Sequence, residues 1–585
     1  MPADPVTLTL PYVTPHGLTV IGVTLGVFLA IWLVRAMLIG AERNQPPALE
    51  NWATALAWVL LPVWVALLVG TLWALWLVFN GLPSPLEDSS FGLGALIAAF
   101  LGAPFVIYGT YLRHKTQRLE QEGHMTDRIT SAVEQLGAEK TEKQYSLDEN
   151  GKPVQVERTV PNIEVRMGAI LSLERIAQDS TANDKGRDHV RVMEILCAYI
   201  RENARGSDAK KSLRLLYEEG SADPDMSQDD FDKWFSLKHG FSPPNLGEII
   251  SVEATKRWAQ TLPKPRADVQ LALTVIGRRS AEQRQVEAAW PDAPTKETVW
   301  PFDPNLKRLP DFAGTKPIGK KELSEFSEGL SKWESCIQAY RGYRLDLRGA
   351  NLQAADFSAK QPDGSDAVFS GALFIDACME GANLTGTRMD GADLRHARLD
   401  GADLERAQMR GAILRWASVE GAELFQARME GINLESTRME GAYLYRAHLE
   451  GGIFLSTRLE GANLSEAHLL GAVLRATKLE GANVSRAQIQ WAYLERVRMD
   501  DNTSLSTAEF AGTALRNTDL SSTSFYVTQA VSSFGDASVI LSEGMEHPAH
   551  WPDWELPLIR EHDFRTEWRE WQKDPDNYHP PPKPK

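Results

Sequence analysis

Apolar and polar positions change their rhythm twice along this chain. Within the first 112 residues three long apolar runs stand almost without charge, at about 17–39, 53–79 and 91–112. Each is long enough to cross roughly 30 Å of hydrocarbon as a helix. From 113 to 340 apolar residues fall at helical spacing between charged and proline-rich stretches. From Phe369 to Met499 a large apolar residue recurs every fifth position without a slip, in most units with Ala or Thr two positions before it. A helix repeats its apolar positions every 3.6 residues and a plain strand every two. A period of five is a stacked array, because one five-residue unit cannot bury its own apolar face.

The array has its own geometry. Residues i−2 and i point to one side of an extended backbone, and the others must turn the corner before the next pair points inward. Leu352 and Phe357 form an earlier piece, separated from the main run by the polar stretch from Lys360 to Asp366. After Met499 one residue is inserted, and Leu505, Phe510, Leu515, Leu520 and Phe525 resume the phase.

Ala382-Asn383-Leu384, Ala392-Asp393-Leu394, Ala402-Asp403-Leu404 and Ala462-Asn463-Leu464 match the motif A-(D/N)-L-x-x, and here the chain resembles the pentapeptide repeat family. The resemblance implies a right-handed quadrilateral β-helix with four units per coil, about eight coils, and a rod on the order of 40 Å long at the usual strand spacing.

Residues twenty apart then stack in columns. Glu380, Asp400, Glu420, Glu440, Glu460, Glu480 and Asp500 form an acidic column, and Arg398, Arg438, Arg458, Lys478 and Arg498 run beside it two residues back. Stacked like charges repel, so the expectation is a self-neutralising ladder on a solvated face, with a charged docking strip as the sharper alternative. Phe425 and Tyr445 stack at an outward position with Tyr443 beside them, and this cluster is the candidate partner contact; stacking for stability alone is the plainer alternative. Ile432 and Gly452 occupy inward small-residue positions one coil apart, so the larger side chain is expected to use the room left by the glycine.

Four regions follow: an anchor of three transmembrane helices (1–112), a mostly helical region with irregular insertions (113–340), the β-helix (341–530) and a Trp-rich cap with a disordered tail from Pro580 (531–585). Lys and Arg are absent from the first sixteen residues and from 80–90, whereas Arg35 and Arg43 flank the first loop and Arg113, Lys115 and Arg118 follow the third run. This bias orients the N-terminus outside and the later domains in the cytoplasm, as a multi-pass inner-membrane protein. In the middle region a hairpin is expected around Asn150-Gly151, with helices over 113–142, 165–178 and 190–205; stretches 208–265 and 288–317 read as irregular. The runs beginning Asn162-Ile-Glu-Val-Arg-Met-Gly, Val192-Met-Glu-Ile-Leu-Cys and Asp268-Val-Gln-Leu-Ala resemble segments of bacterial membrane-anchored pentapeptide repeat proteins.

The net charge of −16 disfavours direct nucleic-acid binding. Cys197, Cys336 and Cys378 are unpaired by spacing and read as buried thiols in a reducing compartment. No nucleotide, serine-hydrolase, zinc-protease or paired-cysteine motif occurs, so neither catalysis nor a cofactor is expected. His448 and His468 share a column, but two exposed ligands are too few for a metal site. Asp500-Asp501 sits where the repeat breaks and reads as a turn.

The function expected is a membrane-tethered scaffold for an unidentified protein partner; the rod could also pair with a second copy of itself. Two alternatives belong to other classes. Some members of the resembled family mimic duplex DNA and protect DNA gyrase, but residues 341–530 hold twenty-five acidic and twenty basic side chains, a net of only −5. The other alternative is an enzyme whose site lies in the middle region.

Overall fold

The computed structural model describes residues 125–147, 153–220, 227–239, 252–303 and 319–584 apart from 362, 560 and 561, with isolated positions elsewhere. The three apolar runs of the first 112 residues lie outside the described residues but for isolated positions. Among the described residues no helix is long and apolar enough to cross a membrane.

The repeat is a parallel β-helix. Backbone bridges join residues twenty apart, as at Val368↔Arg388, Asn383↔Asp403 and Lys478↔Arg498, each to the coil above it. Inward pairs such as Ala382/Leu384 and Ala392/Leu394 are fully buried. Each buried Leu or Met contributes roughly 1.5–3 kcal/mol, which a lone unit could not realise. Where Thr replaces the small inward residue, its hydroxyl donates to a carbonyl of the coil below: Thr437 to Leu414 O at 2.6 Å and Thr457 to Leu434 O at 2.7 Å.

The chain turns every five residues through a left-handed backbone position. Through most of the rod every second one is glycine (Gly381, Gly391, Gly401), and the alternate ones, Gly386 apart, are not (His396, Arg406, Trp416, Gln426). Twenty residues per coil and a turn every five make four corners.

Both irregularities of phase are accommodated. Asn351 bridges Cys378 and Asp356 bridges Asn383, twenty-seven residues apart, so the stretch from Lys360 to Asp366 is a loop thrown out of the first coil. Asn483 bridges Ser504 and Gln488 bridges Glu509, twenty-one apart, which absorbs the single inserted residue. Bridging runs on to Asp519↔Ile540, beyond the expected end of the repeat at residue 530.

Upstream, helix spans 125–136, and β1 (Glu139–Leu147) pairs antiparallel with β2 (Pro153–Pro161) in the predicted hairpin. The charged helix expected to reach residue 142 therefore stops short, because Glu139–Glu142 are taken into β1. Helices α1 (Ile163–Asn183), α2 (His189–Asn203) and α6 (Ala267–Gly277) pack together through Ile170, Leu173, Val192, Leu196, Leu273 and Ile276, all buried. This group sits on the first coil: Asn351 N–H donates to Ala204 O at 2.7 Å, and Val368 N–H to Gly277 O at 2.8 Å.

The stretch expected to be irregular, 208–265, holds three helices: α3 (Leu213–Gly220), α4 (Gln228–His239) and α5 (Val252–Ala259). Leu213, Phe231, Phe235 and Trp258 form their shared core. Helix α7 (Ala281–Ala289) follows α6, and α8 (Lys320–Ala339) precedes the rod.

Helix α9 (Val527–Val531) lies within the last bridged coil, and α10 (Phe564–Lys573) follows it. The Trp-rich segment packs on the outward residues Val473, Tyr493, Ala514 and Phe534. It thus clothes a side wall of the final coils, and Trp568 Nε1 donates to Gly512 O at 2.9 Å. The tail expected to be disordered is held in part: Pro581 is buried and accepts from Trp554 Nε1 at 3.0 Å. Cys197 and Cys378 are buried, whereas Cys336 is exposed. It lies on α8 away from the face formed by Phe326, Leu330 and Trp333.

Candidate functional site

The alternate glycines explain how the middle region meets the rod. A Cβ added at Gly381 would stand 2.9 Å from Ala259, and one at Gly421 would stand 2.5 Å from Thr255. Helix α5 therefore lies in contact with this corner. The opposite corner is occupied by Phe302 over Gly371 and Gly391, Trp333 over Gly411, and Leu330 over Gly431 and Gly451, with Leu323 over Gly471. Helix α8 descends as the coils ascend. From Ile337, which meets Gly391, to Leu323 is about 21 Å of helix, and four coils rise about 19 Å, so the helix runs along the rod.

The acidic column lies at the α5 corner, and its first four members are not solvated. Glu380, Asp400, Glu420 and Glu440 are buried, while Glu460, Glu480 and Asp500 are half-buried. The ladder itself forms. Arg398 lies 2.6 Å from Glu380, Arg438 2.9 Å from Glu420, Arg458 2.9 Å from Glu440, Lys478 3.6 Å from Glu460 and Arg498 2.9 Å from Glu480. Asp400 instead accepts the Glu420 backbone N–H at 3.0 Å. Arg214 of α3 reaches in from outside the repeat, at 2.7 Å from Glu420 and 3.3 Å from Glu440. Burial raises the Glu380 and Glu440 carboxyls to about 7 and Asp400 to about 6, with Glu420 adding to the last two. Through Arg214, Glu420 and Glu440 tie α3 to the rod. Asp500 accepts from Gly481 N–H at 2.7 Å and from Thr503 Oγ1 at 2.8 Å, closing the turn at the repeat break.

The two remaining corners carry aromatic side chains. Phe425 and Tyr445 stack at 5.8 Å between centroids and 17° between planes, with Tyr443 at 6.1 Å from Tyr445. All three are half-buried. Arg406 lies over Phe425 and Arg446 over Tyr445 at 5.8 and 5.1 Å. On the other corner Trp416, 45 % exposed, stacks on His396 at 5.0 Å with Arg415 over its ring at 4.3 Å. This second aromatic group was not singled out from sequence, although His396 and Trp416 stand twenty apart. The signal was available in the column.

In the middle region His189, Arg279 and Glu287 form a buried trio, with Glu287 Oε1 at 2.9 Å from His189 Nε2 and 2.8 Å from Arg279 Nε. All three are at most 2 % exposed, and the trio joins α2 to α7. An open groove of about 510 Å³ lies nearby, lined by Arg284, Gln285, Trp300 and Asp303, and the trio does not face it.

Ile432 does not set the space at Gly452. A Cβ there would meet Leu449 O and the Phe454 ring at 3.0 Å, and Ile432 only at 3.5 Å.

The structure is thus a β-helical rod clothed on opposite corners by its own helices. The family profile of the pentapeptide repeats matches residues 365–391, 387–424 and 457–496, in eight copies. Among similar solved structures is HetL, a pentapeptide repeat protein involved in heterocyst differentiation regulation from the cyanobacterium Nostoc sp. strain PCC 7120. It is 27% identical over 36% of this chain and 88% of its own, with a TM-score of 0.17. A trypsin-treated variant of QnrB1, a plasmid-mediated fluoroquinolone resistance protein, is 18% identical over 29% of this chain and 83% of its own, with a TM-score of 0.20. A pentapeptide repeat protein of the Arabidopsis thaliana thylakoid lumen is 22% identical over 26% of this chain and 74% of its own, with a TM-score of 0.12. No curated protein matches the chain.

Proposed function

We propose that this protein is a membrane-tethered scaffold that presents the rod to a protein partner in the cytoplasm of a bacterium. One observation carries the reading. Two corners are occupied by the chain's own helices, while the other two display aromatic rings beneath arginines, at Phe425/Tyr445 and at Trp416. Aromatic and Arg side chains on a rigid surface are the groups that dominate protein interfaces. The apolar runs at 17–39, 53–79 and 91–112 support the tether.

A duplex-DNA mimic would need its carboxylates at the surface. Here Glu380, Asp400, Glu420 and Glu440 are buried, which weakens that reading.

The test is affinity capture from detergent-solubilised membranes with the intact protein, compared with Phe425→Ala/Tyr445→Ala and with Trp416→Ala. Loss of a partner with either variant supports the proposal and says which corner it uses. An identical set of captured proteins for all three would refute it.

A further inference from the structure

Nearly every buried carboxylate on the two clothed corners has a guanidinium or ammonium beside it. Glu380 has Arg398, Asp390 has Arg410, Glu420 has Arg438 and Arg214, Glu430 has Arg428, and Glu440 has Arg458. Glu450 is built differently. It is 4 % exposed, and its ion-pair partners among the described residues are two imidazoles: His448 Nδ1 at 3.2 Å and His468 Nδ1 at 3.7 Å from Oε1. Its second oxygen, Oε2, is buried with no hydrogen-bond partner. Glu430, one coil below, also leaves Oε2 unpaired, and Arg428 is already committed to that residue. Glu450 is therefore a buried carboxylate whose ion-pair partners among the described residues are imidazoles and not a fixed cation, and burying its charge is costly unless something balances it.

The fold sets the geometry. His448 and His468 are bridged partners in adjacent coils, so their rings overlap with centroids 4.5 Å apart. Glu450 follows His448 by two residues, which brings its Oε1 to the Nδ1 atoms of both rings. The ligand atoms of the three residues all lie within 4.8 Å of one another. A four-coordinate zinc ion with bonds of about 2.0–2.2 Å needs ligand atoms roughly 3.3 Å apart, which small imidazole rotations would supply. His448 keeps 27 % of its side chain exposed, which leaves an entry path and a fourth position for water. Two imidazole nitrogens and one carboxylate select a zinc-class ion over magnesium or calcium, whose sites are built from oxygen.

We propose that His448, Glu450 and His468 bind a zinc-class divalent metal ion across two neighbouring coils. Sequence alone placed the two histidines together but not the buried carboxylate beneath them, and the carboxylate changes the conclusion. The ion would balance Glu450 and tie the two coils together. The assignment is independent of the partner proposed above.

The test titrates zinc chloride into the untagged, metal-stripped full-length chain in detergent, carrying Cys336→Ser to remove the exposed thiol, with a colorimetric chelator as competitor. His448→Gln and His468→Gln are the variants. The same column already holds Gln408 and Gln488, so the coil accepts glutamine there. The expected result is one tight equivalent per chain, weakened at least about tenfold by each single variant and lost in the double variant. Circular dichroism of the variants should match the parent. Failure of the parent to take up an equivalent, or its retention by the double variant, would overturn the assignment.

Discussion

Arg214 and Glu420 lie 206 residues apart in sequence and 2.7 Å apart in space. The guanidinium comes from α3, and the carboxylate from the acidic column of the rod. Arg214 also reaches Glu440 at 3.3 Å, so one helix residue serves two coils. Arg214→Met should destabilise the protein by about 1–3 kcal/mol, because Arg438 and Arg458 remain to share the load. In a double-mutant cycle with Glu420→Gln the two losses should be less than additive. Urea denaturation measures both, and strict additivity would mean that the pair contributes nothing.

The glycine corners make a sharper comparison. Gly411 and Gly481 both sit in the left-handed region, with φ of 57° and 69°. A Cβ at Gly411 would strike Trp333 at 2.8 Å, whereas at Gly481 the nearest atom is 3.8 Å away. Gly481→Ala should cost only the backbone term, about 1–2 kcal/mol. Gly411→Ala adds an overpacked helix and should cost roughly 2–5 kcal/mol in all. Thermal denaturation ranks the two, and faster limited proteolysis within α8 should accompany Gly411→Ala alone.

Stability should depend on pH in the direction opposite to that of an ordinary paired carboxylate. Glu380 and Glu440 are raised to about 7, chiefly by burial. Between their unfolded value near 4.5 and 7 the native state holds protons that the unfolded chain has released. Their contribution is complete below pH 4.5 and is lost as pH rises through 7. The urea midpoint should therefore be higher at pH 5.5 than at pH 8, by on the order of 1 kcal/mol per group. Glu380→Gln should flatten the profile, and a midpoint that climbs with pH over this range would contradict the burial argument.

The inward threonines carry a smaller prediction. Thr457 Oγ1 donates to Leu434 O at 2.7 Å inside the rod. Thr457→Val keeps the volume and leaves that carbonyl without its second partner, which should cost about 1–3 kcal/mol. Thr457→Val at a stability equal to the parent would show that the hydroxyl contributes no net energy there.

The coil and its irregularities were legible in the chain because each five-residue unit repeats its own packing instruction. The phase of Leu384, Leu394 and Leu404 determined which side chains point inward. The gap from Lys360 to Asp366 and the residue inserted after Met499 determined where the coil makes room. Columns of twenty placed Arg438 beside Glu420, Phe425 beneath Tyr445, and His448 beneath His468. The surface of the rod was a different matter. Whether Glu420 meets water or a helix depends on Arg214, Thr255 and Ala259, which belong to a stretch with no repeat to set its register. One hint did lie in the sequence: glycine returns at every tenth residue, while the intervening left-handed corners tolerate His396, Arg406 and Trp416. At Gly381, Gly411 and Gly421 the room left by the missing Cβ is taken by a helix. Local periodicity sets the interior of a solenoid because each coil meets only its neighbours. What covers the outside, and hence which charges are buried and which aromatics remain bare, was decided only when distant helices folded back against the rod.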